Sequence, residues 1–242
     1  MIAGDWLRAA SVLGLGLVFG LKHALDADHL AAVWTIVSTR KSLVDSSLVG
    51  ALWGTGHTIS LMIAGVAVML FHVKIGAHVA SLLEFCVAIM LIALGADALG
   101  KLARGGRVHL HRHRHGGRVH VHPHFHDGSP EPHADTHHGL SLGVRPLLVG
   151  MVHGLAGSAA LTLLVLSAIP SRVLGFAYLA AFGLGSVGGM LFMSMLAGLP
   201  VRLTATRFAR AHVAIQTLAG IFSLALGLIM AYDIGLGTGL PV

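Results

Sequence analysis

Five ionisable side chains crowd into eight residues of an otherwise apolar run. Lys22, His23, Asp26, Asp28 and His29 fall within Gly20–Val33, and the surrounding sequence from Ala9 to Val37 is apolar apart from them. An ionisable residue at membrane depth is costly and marks a functional site. Two imidazoles and two carboxylates make a nitrogen and oxygen donor set. Such a set suits a borderline divalent transition metal such as Ni²⁺, Co²⁺ or Zn²⁺.

Helix geometry sorts these residues. At 3.6 residues per turn, His23, Asp26 and His29 share an arc of about 120°. Lys22 lies beside that arc, within i,i+4 reach of Asp26. Asp28 falls about 100° beyond His29, so an unbroken helix cannot bring His23, Asp28 and His29 to one ion. Either the helix is broken here, as transporter helices are at binding sites, or Asp28 acts from behind the ligands. The plainer alternative is a polar cluster that only holds helices together.

The elements that position this cluster are transmembrane. Mean hydropathy is +0.81, 55% of the 242 residues are apolar and 11% are charged, which excludes a soluble globular domain. The 32 glycines against 7 prolines suit close helix packing in lipid. Cys86 is the single cysteine, so there is neither a disulfide framework nor a Cys-x-x-Cys site. The net charge of +6 resides mainly in loops, which membrane orientation explains without a nucleic-acid partner. The first 30 residues resemble a signal peptide, but their apolar run continues to Val37 and reads as a retained helix.

Six spans are expected, near 11–37, 46–70, 77–99, 141–168, 172–198 and 211–233. The fold class is therefore an all-α polytopic membrane protein. Twelve Lys and Arg residues fall in the loops after spans one, three and five; the opposite side has Arg8, Lys74 and Arg172. The positive-inside rule places both termini outside and the long loop in the cytoplasm. That loop, 104–139, holds 11 of the 18 histidines, in runs such as HLHRHRH and HVHPHFH. It is expected to lack regular structure and to buffer or sense metal, with a cytoplasmic metal acceptor as a candidate partner.

A repeat links the two halves, 1–103 and 140–242. Gly20-x-x-His23-x-Leu25 matches Gly150-x-x-His153-x-Leu155, and Gly54-Thr-Gly56-His57 matches Gly183-Leu-Gly185-Ser186. Glu84 stands eleven residues before Gly95, as Gln216 does before Gly227. Three spans is an odd number, so the copies must be inverted, and sites in such folds lie near the midplane between the repeats. The first half contributes His23, Asp26, Asp28, His29, His57 and, with less weight, Glu84. His153 is the one ionisable counterpart in the second half and should approach His23 closely enough to share an ion or its path. Glu84 is read as a proton relay or as a partner of Lys22. Asp97, Asp233, His72, His78 and His212 sit near span ends, where interfacial solvation accounts for them.

HALDADH, residues 23–29, matches the His-x4-Asp-His signature of the nickel/cobalt transporter (NiCoT) family, and GTGHT resembles that family's second motif. The chain resembles a short, six-span member near the urease-accessory nickel-permease branch. The resemblance implies that His23, Asp28 and His29 are essential for transport, with Asp26 and His57 in support. It departs from the family in span number, since typical members have about eight. The His-rich loop instead resembles that of the related efflux proteins.

The expectation is a secondary transporter in the cytoplasmic membrane that moves Ni²⁺ or Co²⁺ inward. The metal is the cargo and no prosthetic group is expected. Efflux of the same ions is the first alternative. An intramembrane metalloenzyme is the second, although the chain lacks His-Glu-x-x-His and any recognisable Ser/His catalytic motif.

Overall fold

The first apolar run breaks where its ionisable residues begin. In the computed structural model it forms α1 (Ile2–His23) and α2 (Ala27–Val37), bent by 56° across a three-residue link. The residues described are 2–40, 42–71, 76–104, 109–115, 118–124, 144–155, 169, 171–205 and 208–237. In the link, the amides of Leu25 and Asp26 donate to the carbonyls of Lys22 and His23 at 2.9 and 3.1 Å, so the turn tightens and the α-helical ladder stops. Asp26 is extended (φ −62°, ψ 146°) and precedes the first turn of α2. The first expected span, 11–37, is thus built from two helices. The break removes the i,i+4 geometry expected of Lys22 and Asp26. Lys22 forms no ion pair among the described residues, and the Asp26 carboxylate bonds His23 instead.

Four further helices are long and apolar enough to cross a bilayer: α3 (Leu43–Phe71), α4 (Ala77–Ala103), α6 (Arg172–Ala205) and α7 (Ala209–Tyr232), which continues into a π-helical turn over Asp233–Gly237. Between α4 and α6 lies α5 (Arg145–Gly154), which begins with Pro146 in its first turn and ends one residue after His153. The rest of the fourth expected span, 156–168, lies outside the described residues. With the bent pair counted as one span, the helices make up to five crossings.

Short α2 is the hub. Ala31, Ala32 and Val37 are fully buried, and α2 packs against α3, α4, α6 and α7. A helix enclosed by other helices can carry polar side chains at membrane depth, because protein rather than lipid surrounds them. Its far end is tied to α7: Thr35 Oγ1 donates to the Ala219 carbonyl at 3.1 Å, and Gln216 Nε2 donates to the Ser38 carbonyl at 2.9 Å. His212 belongs to this tie. It is buried, and its Nε2 lies 3.2 Å from Gln216 Nε2, so the interfacial solvation expected for it gives way to hydrogen bonding inside the bundle.

Outside the core pairs, α1 packs on α6, α5 on α3 and α4 on α7, each through glycines. A Cβ on Gly20 would strike the Phe182 carbonyl, and one on Gly150 the Trp53 carbonyl. One on Gly185 would strike the Leu17 carbonyl, and one on Gly56 the Leu147 carbonyl. At α4 and α7, a Cβ on Gly95 would lie 2.7 Å from the Gly220 carbonyl oxygen, and one on Gly227 2.7 Å from that of Ala88. Backbone contact this close admits no side chain, which is what small residues contribute to helix packing in lipid.

The His-rich loop departs from expectation in part. His109–His115 and Arg118–His124 pair as antiparallel strands β1 and β2, with His109 opposite His124, His111 opposite His122 and His113 opposite His120. The signal was present in the sequence: residues alternate in type on both sides of Gly116–Gly117, the pair that a two-residue hairpin connection favours.

Candidate metal centre

The link between α1 and α2 decides where the signature residues go. His23 ends α1, whereas Asp28 and His29 open α2 after the bend. Breaking the helix removes the 100° offset that kept Asp28 from the histidines. Of the two arrangements the sequence left open, the structure adopts the broken helix.

Two groups of donors result. His23, His29 and His57 form one, and Asp28, His29 and His153 the other; within each, the donor atoms lie within 4.8 Å of one another. His29 belongs to both. Its ring centroid is 4.3 Å from His23, 5.3 Å from His57 and 4.0 Å from His153. His57 comes from the glycine-rich part of α3 and His153 from the end of α5, so the broken α1–α2 pair, α3 and α5 converge. The expected meeting of His23 and His153 is mediated by His29, against which both rings lie. All four histidines are buried, while Asp28 is 27% and Asp26 50% exposed.

The hydrogen bonds orient each ring. Asp26 Oδ2 lies 2.7 Å from His23 Nδ1, which leaves Nε2 to face His57 Nε2 at 3.1 Å. Asp28 Oδ1 accepts from the backbone amide of His29 at 2.9 Å and lies 3.0 Å from His29 Nδ1. Asp28 Oδ2 lies 2.8 Å from His153 Nε2. The carboxylate also sits in the first turn of α2, where the helix dipole favours negative charge.

Three ring nitrogens in this cluster are buried without a hydrogen-bond partner: His29 Nε2, His57 Nδ1 and His153 Nδ1. A buried polar atom left unpaired is costly and calls for an explanation such as a bound ion. The donor set, imidazole nitrogens with one or two carboxylates, suits divalent Ni, Co or Zn rather than Mg or Ca. Asp26 stands behind His23 as carboxylates stand behind metal-ligating histidines, fixing the tautomer and ring direction.

Glu84 lies half-buried on α4 and belongs to neither group; among the described residues it forms no ion pair, with Lys22 or otherwise. Sequence reasoning missed the walls. Trp53 is fully buried with its ring 6.3 Å from His29 and 5.7 Å from His153, and Phe182 lies 5.6 Å from His23. The available signal was position: Trp53 immediately precedes Gly54, as Phe182 precedes Gly183 in the matching motif.

Over 236 residues the sequence is 38% identical to "Urease accessory protein UreH" of Bacillus sp. (strain TB-90), covering 98% of this chain and 97% of that protein. The chain belongs to the UreH family. Two chloroplast proteins of Arabidopsis thaliana, FOR GROWTH AND FERTILITY 1 and 2, are 27% and 24% identical over 189 and 196 residues, and the matches cover 48% of each of them. No protein-family profile and no solved structure matches.

Proposed function

We propose that this UreH-family chain is a secondary transporter of the nickel/cobalt type, moving Ni²⁺, Co²⁺ or both inward across the cytoplasmic membrane. The observation that carries the reading is the buried cluster of His23, Asp28, His29, His57 and His153, with unpartnered ring nitrogens, among membrane-length helices. The relative's name ties that protein to urease, a nickel enzyme, which favours nickel as the cargo here. The ligand chemistry suits passage as well as capture. Neutral imidazoles supply most donors and Asp28 the one carboxylate within the two groups, so an ion is held without the charge count of a permanent cage.

The reading includes six spans built as two inverted three-helix repeats. We take 141–168 as the fourth span, of which α5 is the described part. The glycine contacts support this. Gly20 against Phe182 and Gly150 against Trp53 become one contact when each residue is exchanged for its repeat mate. So do Gly185 against Leu17 and Gly56 against Leu147, and Gly95 against Gly220 and Gly227 against Ala88. Exchange of partners between halves is what a pseudo-two-fold axis in the membrane plane produces.

In this reading the termini are outside, as the Lys and Arg distribution requires. The His-rich hairpin faces the cytoplasm, where it receives ions from the pore and passes them to a metal acceptor. No enzymatic step and no prosthetic group is involved.

The test is ⁶³Ni accumulation in cells expressing the full chain, against an empty vector. Accumulation above the vector supports uptake. Faster loss from preloaded cells would reverse the direction and favour efflux. No change in either, with the protein present in the membrane, would refute transport. Flux into proteoliposomes without any added organic substrate separates transport from an intramembrane enzyme.

A further inference from the structure

The two donor groups share His29, and a neutral imidazole has one lone pair to give. One ring nitrogen carries the proton and the other accepts. His29 Nδ1 faces Asp28 at 3.0 Å, within the group that His153 completes, while its Nε2 is buried without a hydrogen-bond partner. We propose, building on the transport reading, that His29 is a pivot between two mutually exclusive ion positions. The first is formed by His23, His57 and His29 Nε2. The second is formed by Asp28, His153 and His29 Nδ1.

The surroundings of each nitrogen support this division. His23 Nδ1 is engaged by Asp26, so His23 addresses the first position through Nε2, the atom that lies 3.1 Å from His57 Nε2. While an ion occupies that position, His29 Nδ1 keeps its proton and donates to Asp28. When the ion moves to the second position it leaves Nε2, the Nδ1 proton passes to solvent through the partly exposed Asp28 carboxylate, and Nε2 takes up a proton from solvent in its place. One proton is released and one taken up, so the ring's net protonation is unchanged, and His29 is a ligand at both positions. The second position holds a carboxylate and the first only imidazoles, so the two differ by one formal negative charge. That difference makes the positions unequal in affinity and gives the cluster a direction of preference. Because one ring serves both, occupation of one position excludes the other, and ions pass singly.

Co²⁺ is the probe, because its visible absorption reports ligand number and type. The full chain would be purified in detergent and titrated with Co²⁺, alongside His57→Ala, His153→Ala and His29→Ala, each checked for intact folding by circular dichroism and gel filtration. Ions bound by the His-rich segment are accounted for with a reference, the full chain with His23, His29, His57 and His153 all replaced by Ala, and every count is taken above that reference. The unsubstituted protein is expected to bind about one Co²⁺. His57→Ala and His153→Ala should each still bind about one, with spectra that differ from each other because each retains a different position. His29→Ala should lose both. In transport, His57→Ala and His153→Ala should each lose flux despite retained binding, because each breaks the path on one side of the pivot. Two ions bound at once would overturn the exclusion. Complete loss of binding in both His57→Ala and His153→Ala would mean a single composite site and no pivot. No binding by the unsubstituted protein would refute the transport reading itself, and the pivot with it.

Discussion

At the scale of single residues, the proposed transport site distinguishes holding an ion from aiming a ligand, and Asp26 beside His23 tests the difference. Asp26 is half exposed and lies outside both donor groups, yet its carboxylate is 2.7 Å from His23 Nδ1. Removing its charge should leave His23 in place but free its ring to turn. Asp26→Asn is therefore expected to weaken metal affinity and transport by about 10–100-fold, the usual effect of losing a carboxylate behind a metal-ligating histidine. His23→Ala or His29→Ala should abolish transport while the protein still folds and inserts. ⁶³Ni uptake normalised to membrane-inserted protein measures both, and wild-type uptake by a well-expressed His23→Ala variant would remove the cluster from the pathway.

Helices meet here through bare backbone, and that sets the tolerance of each element. Gly20 on α1 and Gly150 on α5 both abut a carbonyl of the opposing helix. A methyl group at either cannot be accommodated by moving a flexible side chain, so the helices must separate. Gly20→Ala and Gly150→Ala should each destabilise the protein by about 1–3 kcal/mol, as overpacking does. Thermal unfolding in detergent would read this as a lowered midpoint. Gly14, which has open space around its Cβ position, provides the control, and Gly14→Ala should leave the midpoint unchanged. An equal loss at all three positions would count against the close-contact account.

On the scale of the whole molecule, the His-rich segment is separable from the bundle. It follows a completed α4, and its two described strands pair with each other rather than with the helices. Replacing 104–139 with a short flexible linker should leave the helices folded and transport active, with altered metal tolerance. Loss of flux with normal insertion would place the loop in the pathway. Asp97 pairs with Lys101 one turn along α4 at 3.1 Å and with Arg145, across to α5, at 3.2 Å. Exposed pairs of this kind contribute little to stability. Asp97→Ala is expected to change the unfolding midpoint far less than Gly20→Ala.

Much of this was legible in the chain itself. Hydropathy and length mark the four long helices, because the thickness of a bilayer imposes a minimum apolar run that few other structures need. Charges inside such a run mark His23, Asp28 and His29 for the same reason, and the glycine-histidine repeat singles out His153 from an otherwise plain apolar segment. Periodicity could not say that the helix stops at His23. Whether a run of Ala, Leu and Asp continues or breaks depends on what the freed backbone and side chains find in neighbouring helices, and those neighbours are distant in sequence. Tertiary structure alone therefore decided that Asp28 faces His153, that one imidazole is common to both donor groups, and that Trp53 and Phe182 wall the cluster. His212 carries the same lesson, since nearness to a span end suggested solvent and the packing of α7 on α2 buried it.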